Sequence, residues 1–258
     1  MIRQIAAMWL ATLCSLGAAH AETVLITGSN RGLGLEFAKQ YAEMGWHVIA
    51  TTRNPARAQE LNALAKQFGN ISVEELDVLD FEEINSLAKK YRDTSIDVLI
   101  NNAGVLGDLE GQTLGTFDYD NFQRVMGVNV YGALAVSEAF RKHVAVSEQK
   151  KIIGITSGAG IISRGSSGGN IYFYRASKVA LNMGLKGLAA DLRNEGIVVG
   201  IVAPGAADTD MRRELVGDRA DQDQDSASSV SGMIRVISNL TQANSSQPFN
   251  YDGQPMPW

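Results

Sequence analysis

Residues 23–38 read Thr-Val-Leu-Ile-Thr-Gly-Ser-Asn-Arg-Gly-Leu-Gly-Leu-Glu-Phe-Ala. The first five, Thr23 to Thr27, are apolar or β-branched and stop at Gly28, the pattern of a buried strand running into a turn. From Gly32 onward apolar residues recur at helical spacing (Leu35, Phe37, Ala38, Tyr41) until Gly45 closes the segment. Glycine between a strand and a helix lets the backbone turn sharply and approach a pyrophosphate, while the helix start behind it offers unpaired N–H groups and a partial positive charge. Gly28, Asn30, Arg31, Gly32, Leu33 and Gly34 are therefore candidate nucleotide contacts. A glycine turn alone often serves conformation only; its placement between strand and helix is what makes it a nucleotide signal.

The alternation continues outward from this unit. Strands are expected at 47–51, 71–76, 96–100, 151–156 and 197–202, and helices at 55–68, 81–91, 121–142 and 172–194. The polar, acidic stretch 217–229 reads as a loop leading to a last helix at 229–240, and 249–253 as an edge strand and turn. Such alternation implies an α/β protein: a Rossmann-type, doubly wound, mostly parallel sheet with helices on both faces. With 258 residues and no internal repeat, a single domain over 22–258 accommodates all of it.

Hydrophobic residues make up 45% of the chain and charged ones 20%, ordinary for a globular protein, and the formal net charge is −5. That bulk charge repels nucleic acid and anionic membrane, so a bound anion must be held locally. At the N-terminus Arg3, the apolar run from Ile5 to Ala18, and Ala19-His20-Ala21 have the form of an export signal cleaved before Glu22. The run is short for a membrane span, so no stable span is expected after cleavage, and the mature protein is expected to be periplasmic or secreted, or cytoplasmic if the true start lies further on. Cys14, the one cysteine, lies inside this segment. The mature chain is thus expected to hold no disulfide and no metal-thiolate site.

The second strand ends Ala50-Thr51-Thr52-Arg53, where an NAD site normally presents an acid to the ribose 2′-OH. Arg53 with Arg31 instead suits a 2′-phosphate, which favours NADP over NAD. Asp77 and Val78 follow the third strand and are candidates for the adenine edge, although Asp77 also sits close to the helix that Asp80 begins. Asn101, Ala103 and Gly104, from the run Asn101-Asn102-Ala103-Gly104, end the fourth strand beside the expected switch point of the sheet.

Tyr174 and Lys178 are four apart on one helical face, where an ammonium lowers the pKa of a phenol by favouring phenolate. The pair alone is common by chance. Ser157 ends the fifth strand at the edge where ligands of such sheets bind, and Asn129 is the odd amide of an apolar helical stretch that needs buried partners, a water leading to Lys178 among them.

Taken together the chain resembles the short-chain dehydrogenase/reductases from Thr23 to Trp258. The resemblance rests on Thr27-Gly28-x-x-x-Gly32-x-Gly34, residues 101–104, Asn129, Ser157, Tyr174 with Lys178, and Pro204-Gly205. Within that family it is similar to the C-factor-like and sniffer-like carbonyl reductases. The carriers are Thr52-Arg53-Asn54-Pro55, the insert Ser167-Gly168-Gly169, Tyr174-Arg175-Ala176-Ser177-Lys178, Thr209-Asp210-Met211, and the ending from Tyr251 to Trp258. It departs from that branch in having Ala203 before Pro204 and Ala206 after Gly205, in place of a histidine and an aromatic, which predicts a more open pocket near the nicotinamide.

The resemblance implies an NADP-dependent reduction of a small carbonyl compound or oxidation of an alcohol. Tyr174 would be the general acid or base, with Lys178 lowering its pKa and holding the nicotinamide ribose. Ser157 would polarise the carbonyl, Asn129 would anchor a relay water, and Pro204, Gly205 and Thr209 would line the nicotinamide end. It leaves homo-oligomer formation open. A different class stays open too: a nucleotide-binding signalling protein of the same fold with little turnover, against which the complete Asn/Ser/Tyr/Lys set weighs.

Overall fold

The computed structural model describes residues 21–164 and 170–258. Residues 1–20, holding nearly all of the expected export signal, and Ser167-Gly168-Gly169 lie outside these.

Seven strands form one sheet: β1 (Thr23–Ile26), β2 (His47–Thr52), β3 (Ile71–Glu75), β4 (Val98–Asn101), β5 (Lys151–Ile155), β6 (Val198–Ala203) and β7 (Pro248–Asn250). They lie in the order β3-β2-β1-β4-β5-β6-β7, and every pairing is parallel. Helices α1 (Gly32–Glu43), α2 (Gln59–Phe68), α3 (Phe81–Lys90), α4 (Tyr119–Met126), α5 (Ala133–Ala145), α6 (Tyr172–Leu192), α7 (Asp210–Val216) and α8 (Ser226–Ser238) connect them. The Rossmann-type expectation holds, with the sheet parallel throughout.

Alternation along the strands divides the core in two. Val24, Ile26, Val48, Ile100 and Ile153 face one side, where Phe37, Tyr41, Leu61, Met233 and Ile237 from α1, α2 and α8 cover them. Leu25, Ile49, Leu99, Ile152 and Val199 face the other, under Ile84, Val136, Phe140 and Leu185 from α3, α5 and α6. A period of two along a strand and 3.6 along a helix makes the two layers compatible. At about 25 cal/mol per Å² of apolar area removed from water, burial on both faces is what holds the site's scaffold rigid.

Several elements differ from expectation. The helix expected over 121–142 begins at Tyr119, where Asp118 caps it by accepting from the Asn121 N–H at 2.6 Å, and runs on to Ala145. In its middle, Gly127–Gly132 form a π-helical turn. The helix expected over 55–68 is a 3-10 turn at Pro55–Arg57 followed by α2. The stretch 217–229 is not a plain loop: it contains a 3-10 turn at Gly217–Gln222, and α8 starts at Ser226 with Asp225 as its cap. α7 was not expected at all. No helix among the described residues is long and apolar enough to cross a membrane.

The strand order reverses between β1 and β4, so the connections that follow them turn to opposite faces of the sheet and leave a crevice between them. The glycine turn after β1 and the Asn102-Ala103-Gly104 segment after β4 form its two lips.

Candidate active site

A cleft of about 1020 Å³ opens at the carboxyl edge of the sheet. Gly28, Asn30, Arg31, Gly32, Leu33, Gly34, Arg53, Asp77, Val78, Ala103 and Gly104 line one part of it. Ser157, Tyr174, Lys178, Pro204, Gly205 and Thr209 line the rest. Residues up to 181 positions apart in sequence thus share one cleft because six different strands, β1 to β6, end at the same edge.

The glycine turn is built for close approach. Gly28 has φ +69°, a left-handed conformation that side chains disfavour. A Cβ on Gly34 would collide with the Gly28 carbonyl oxygen and lie 2.5 Å from Asn102 Nδ2. Asn102 Nδ2 donates to the carbonyls of Thr27 and Gly28 at 2.9 and 3.0 Å, and the Thr27 hydroxyl accepts from the N–H groups of Asn102 and Ala103 at 3.0 Å each. The two lips are therefore stitched together, and this cradle of backbone keeps its shape only while residue 34 has no side chain. These residues fit a dinucleotide.

Of the two neighbouring asparagines it is Asn102, not the expected Asn101, that lines the cleft. Asn101 is buried behind the wall, donating through Nδ2 to Ser137 Oγ of α5 at 2.9 Å, and does not line the cleft. It shares a strand face with Leu99, so alternation points it under α5. Asn102 and Thr27 shape the turn instead, and the motif containing both was the signal available.

The two arginines differ. Arg31 Nη1 meets Asp210 Oδ2 at 3.0 Å across the mouth of the cleft, and both side chains are well exposed, so the pair is worth no more than about 1 kcal/mol. Arg53 has no acidic partner among the described residues. Asp77 lines the cleft and accepts from the Leu79 N–H at 2.9 Å, while Asp80 caps α3 through the N–H groups of Glu82 and Glu83. Thr209 likewise caps α7, accepting from the Arg212 N–H at 3.2 Å.

At the other end, Lys178 and Tyr174 project from the first turns of α6 into the cleft and are both buried. Lys178 Nζ donates to the Ile155 carbonyl at 3.0 Å and lies 5.6 Å from the Tyr174 ring centroid. Burial pushes the lysine down to about 8, which leaves it mostly protonated at neutral pH. Burial also holds the Tyr174 phenol above the ordinary tyrosine value, and its hydrogen bond with the Ser157 side chain pulls the other way. This corrects the expectation of a depressed phenol: removal from water outweighs the hydroxyl that favours phenolate. Ser157 Oγ itself accepts from the Ala159 N–H at 3.1 Å, which orients it at the end of β5.

Asn129 stands behind the cleft wall rather than in it. Its Oδ1 accepts from the Val105 N–H at 2.8 Å, and Nδ2 donates to the Val105 carbonyl and to Ser177 Oγ, each at 2.9 Å. A Cβ placed on Gly104 would sit 3.4 Å from Asn129 Oδ1 and 3.7 Å from Lys178 Nζ, so the two face a common space. Both hydrogens of the side-chain amide are thus used on the loop and on Ser177.

Leu106, Ala159, Met211, Leu215 and Met256 give the cleft an apolar wall beside Tyr174; Leu106, Ala159 and Leu215 carried no signal in the sequence. At Gly205, next to the position expected to be more open, the Tyr251 ring packs so closely that a Cβ there would lie 2.7 Å from it, but Tyr251 itself does not line the cleft.

Residues 22–220 match the model of the short chain dehydrogenase family. The C-signal of Myxococcus xanthus is 37% identical over 163 residues, which span 63% of this chain and 93% of that protein. An NADPH-bound carbonyl reductase from chicken fatty liver superposes with a TM-score of 0.84 at 31% identity, covering 92% of this chain and 99% of the other. The carbonyl reductase Sniffer of Drosophila melanogaster does so with a TM-score of 0.81 at 30% identity, covering 93% and 100%.

Gly34→Ala is expected to weaken binding of a nicotinamide dinucleotide by about tenfold or more, because the Gly28 carbonyl must shift to admit the methyl group. Fluorescence titration of the folded variant measures this; wild-type affinity would show that the turn does not approach the ligand.

Proposed function

This chain belongs to the short-chain dehydrogenase family, and from that premise we propose that it is an NADP-dependent carbonyl reductase, moving a hydride between NADPH and a small carbonyl or alcohol substrate. The observation that carries the reading is the placement of Ser157, Tyr174 and Lys178 on one wall of a cleft whose far end is the glycine cradle. The chicken and Drosophila neighbours, both carbonyl reductases by name and the first with NADPH bound, support it.

The backbone from Gly28 to Gly34 would hold the pyrophosphate, Asp77 and Val78 the adenine end, and Pro204, Gly205 and Thr209 the nicotinamide end. Arg53, with no competing acid among the described residues, is the guanidinium suited to the 2′-phosphate; Arg31 would join it by leaving Asp210. When bound, the nicotinamide supplies the hydride, and the protein supplies position and electrostatics.

In reduction Tyr174 gives its hydroxyl proton to the carbonyl oxygen; in oxidation it takes one back from the alcohol. Its raised pKa keeps that proton in place until the carbonyl oxygen becomes basic, and the Lys178 ammonium then stabilises the phenolate left behind. Ser157 donates to the same oxygen and polarises the carbonyl. Leu106, Ala159, Met211, Leu215 and Met256 favour an apolar, uncharged substrate, since a charged group against that wall would lose its hydration without gaining a partner. The likeness to the C-signal keeps a second reading in view, a nucleotide-binding signalling protein of the same fold with little turnover.

NADPH oxidation against a panel of aryl ketones, aldehydes and quinones separates the two. The wild type is expected to turn over, and Tyr174→Phe to lose about 10²-fold or more in kcat while binding NADPH as before; unchanged turnover in that variant would remove the proton role. For cofactor choice, Arg53→Ala is expected to raise the Kd for NADPH by about 10- to 100-fold, as losing a charged hydrogen bond does, and to leave NADH little changed. Equal losses for both cofactors would contradict a 2′-phosphate contact.

A further inference from the structure

Gln112 belongs to none of the motifs that point to the cleft, yet its side chain is fully buried, with 0% of its surface exposed. It follows β4 in a segment that supplies Leu106 to the apolar wall. Both of its amide hydrogens and its carbonyl oxygen are bonded here. Nε2 donates to the carbonyls of Leu106 and Asp108 at 2.9 and 3.1 Å, and Oε1 accepts from the N–H of Tyr174 at 3.1 Å.

That last bond answers a specific need. The first N–H groups of a helix have no partner inside it. In α6 the regular ladder starts with the Arg175 N–H bonding to the Ile171 carbonyl at 3.0 Å, so the Tyr174 N–H is the orphan just before it. Helix starts are commonly capped by a neighbouring serine, threonine or aspartate. Ile171, which precedes α6, can do none of this, and its cap is a glutamine 62 positions away.

Two other carboxamides hold the same loop. Asn129 pairs with both the N–H and the carbonyl of Val105, and Asn121 with both of Asp108, at 2.8–3.0 Å. Asn129 also reaches Ser177, whose hydroxyl donates to the Tyr174 carbonyl at 2.7 Å. Tyr174 is thus fixed at both ends of its own peptide: its N–H by Gln112, its C=O through Ser177 and Asn129.

We propose that Gln112 is a positioning residue for the proton transfer, a carboxamide splint that locks the Tyr174 backbone to the loop carrying the substrate wall. The inference rests on the carbonyl reductase reading. A phenol near the helix start swings with its first turn, and a displacement of about 1 Å at a reacting group can cost about 10² in rate. Gln112 ties that turn to Leu106, so acid and substrate wall move as one body.

The test compares Gln112→Met, which keeps the shape and loses donor and acceptor, with Gln112→Glu. A neutral carboxylic acid at this position still accepts from Tyr174 and donates to one carbonyl, whereas a carboxylate faces two carbonyl oxygens. Turnover is expressed per NADPH-binding site, so unfolded protein does not count, and Tyr174 amide exchange is followed by NMR. Q112M is expected to lose about 10² in kcat, with the NADPH Kd and the substrate KM within about twofold of wild type, and its Tyr174 amide to exchange about tenfold faster or more. Q112E is expected to regain kcat and amide protection at acidic pH and lose both as pH rises. Wild-type kcat in Q112M overturns the proposal, as does a parallel loss in kcat, KM and Kd, which marks general loosening. A wild type that turns over nothing on the panel defeats the carbonyl reductase reading and this inference with it. The two failures are distinguishable, because in that case the Tyr174 amide still loses protection in Q112M.

Discussion

An ammonium held by a backbone carbonyl at the end of a buried strand is the feature on which the site depends. Lys178 Nζ donates to the Ile155 carbonyl at 3.0 Å, in a place where burial pulls the lysine down to about 8. Taking a charge out of water costs several kcal/mol, and a single neutral acceptor does not return it. A position that costs stability in this way, facing a cleft, is characteristic of a working group rather than of a structural one. The rest of α6 bears that cost: Leu181, Leu185 and Leu192 pack under the sheet and hold the helix whether or not its first turns are comfortable.

With α6 anchored there, the other relations follow from the sheet. Parallel strands end on one edge, so the turn after β1, the segment after β4, Ser157 after β5 and Pro204-Gly205 after β6 converge without any of them being near in sequence. Polar side chains then set the distances that the strands leave loose. Asn102 and Thr27 join the two lips, and Gln112, Asn121 and Asn129 hold the segment between β4 and α4 by its own peptide groups. The site is rigid because its loops are bonded through side chains in the way that strands are bonded through backbone.

The strands and the sheet's direction were readable in the chain because apolar, β-branched runs ending at glycine or asparagine have few other uses. The glycine turn and the Tyr174–Lys178 pair were readable because each lies on a regular element whose period fixes its direction. What escaped was set by distant contacts or by choices between neighbours. Asn101 and Asn102 are the same residue type side by side, and only strand alternation separates the one under α5 from the one on the lip. α7 is short and polar, and its one local mark is the Thr209 cap. The π-helical turn at Gly127–Gly132 has no marker in sequence at all. The effect of burial on Tyr174 could not be weighed against its neighbours until the packing was known, and Gln112 acts on a peptide that its own sequence neighbourhood does not contain.

The most direct measurement is the fate of a label. Turnover of an aryl ketone or aldehyde with NADPH doubly deuterated at C4, followed by mass spectrometry and NMR of the product, reads the chemistry at the carbon facing Tyr174. The account predicts an alcohol with one deuterium on the carbinol carbon and a hydroxyl proton drawn from solvent. A product without that deuterium, or NADPH bound tightly with no product from any carbonyl compound of the panel, would contradict it.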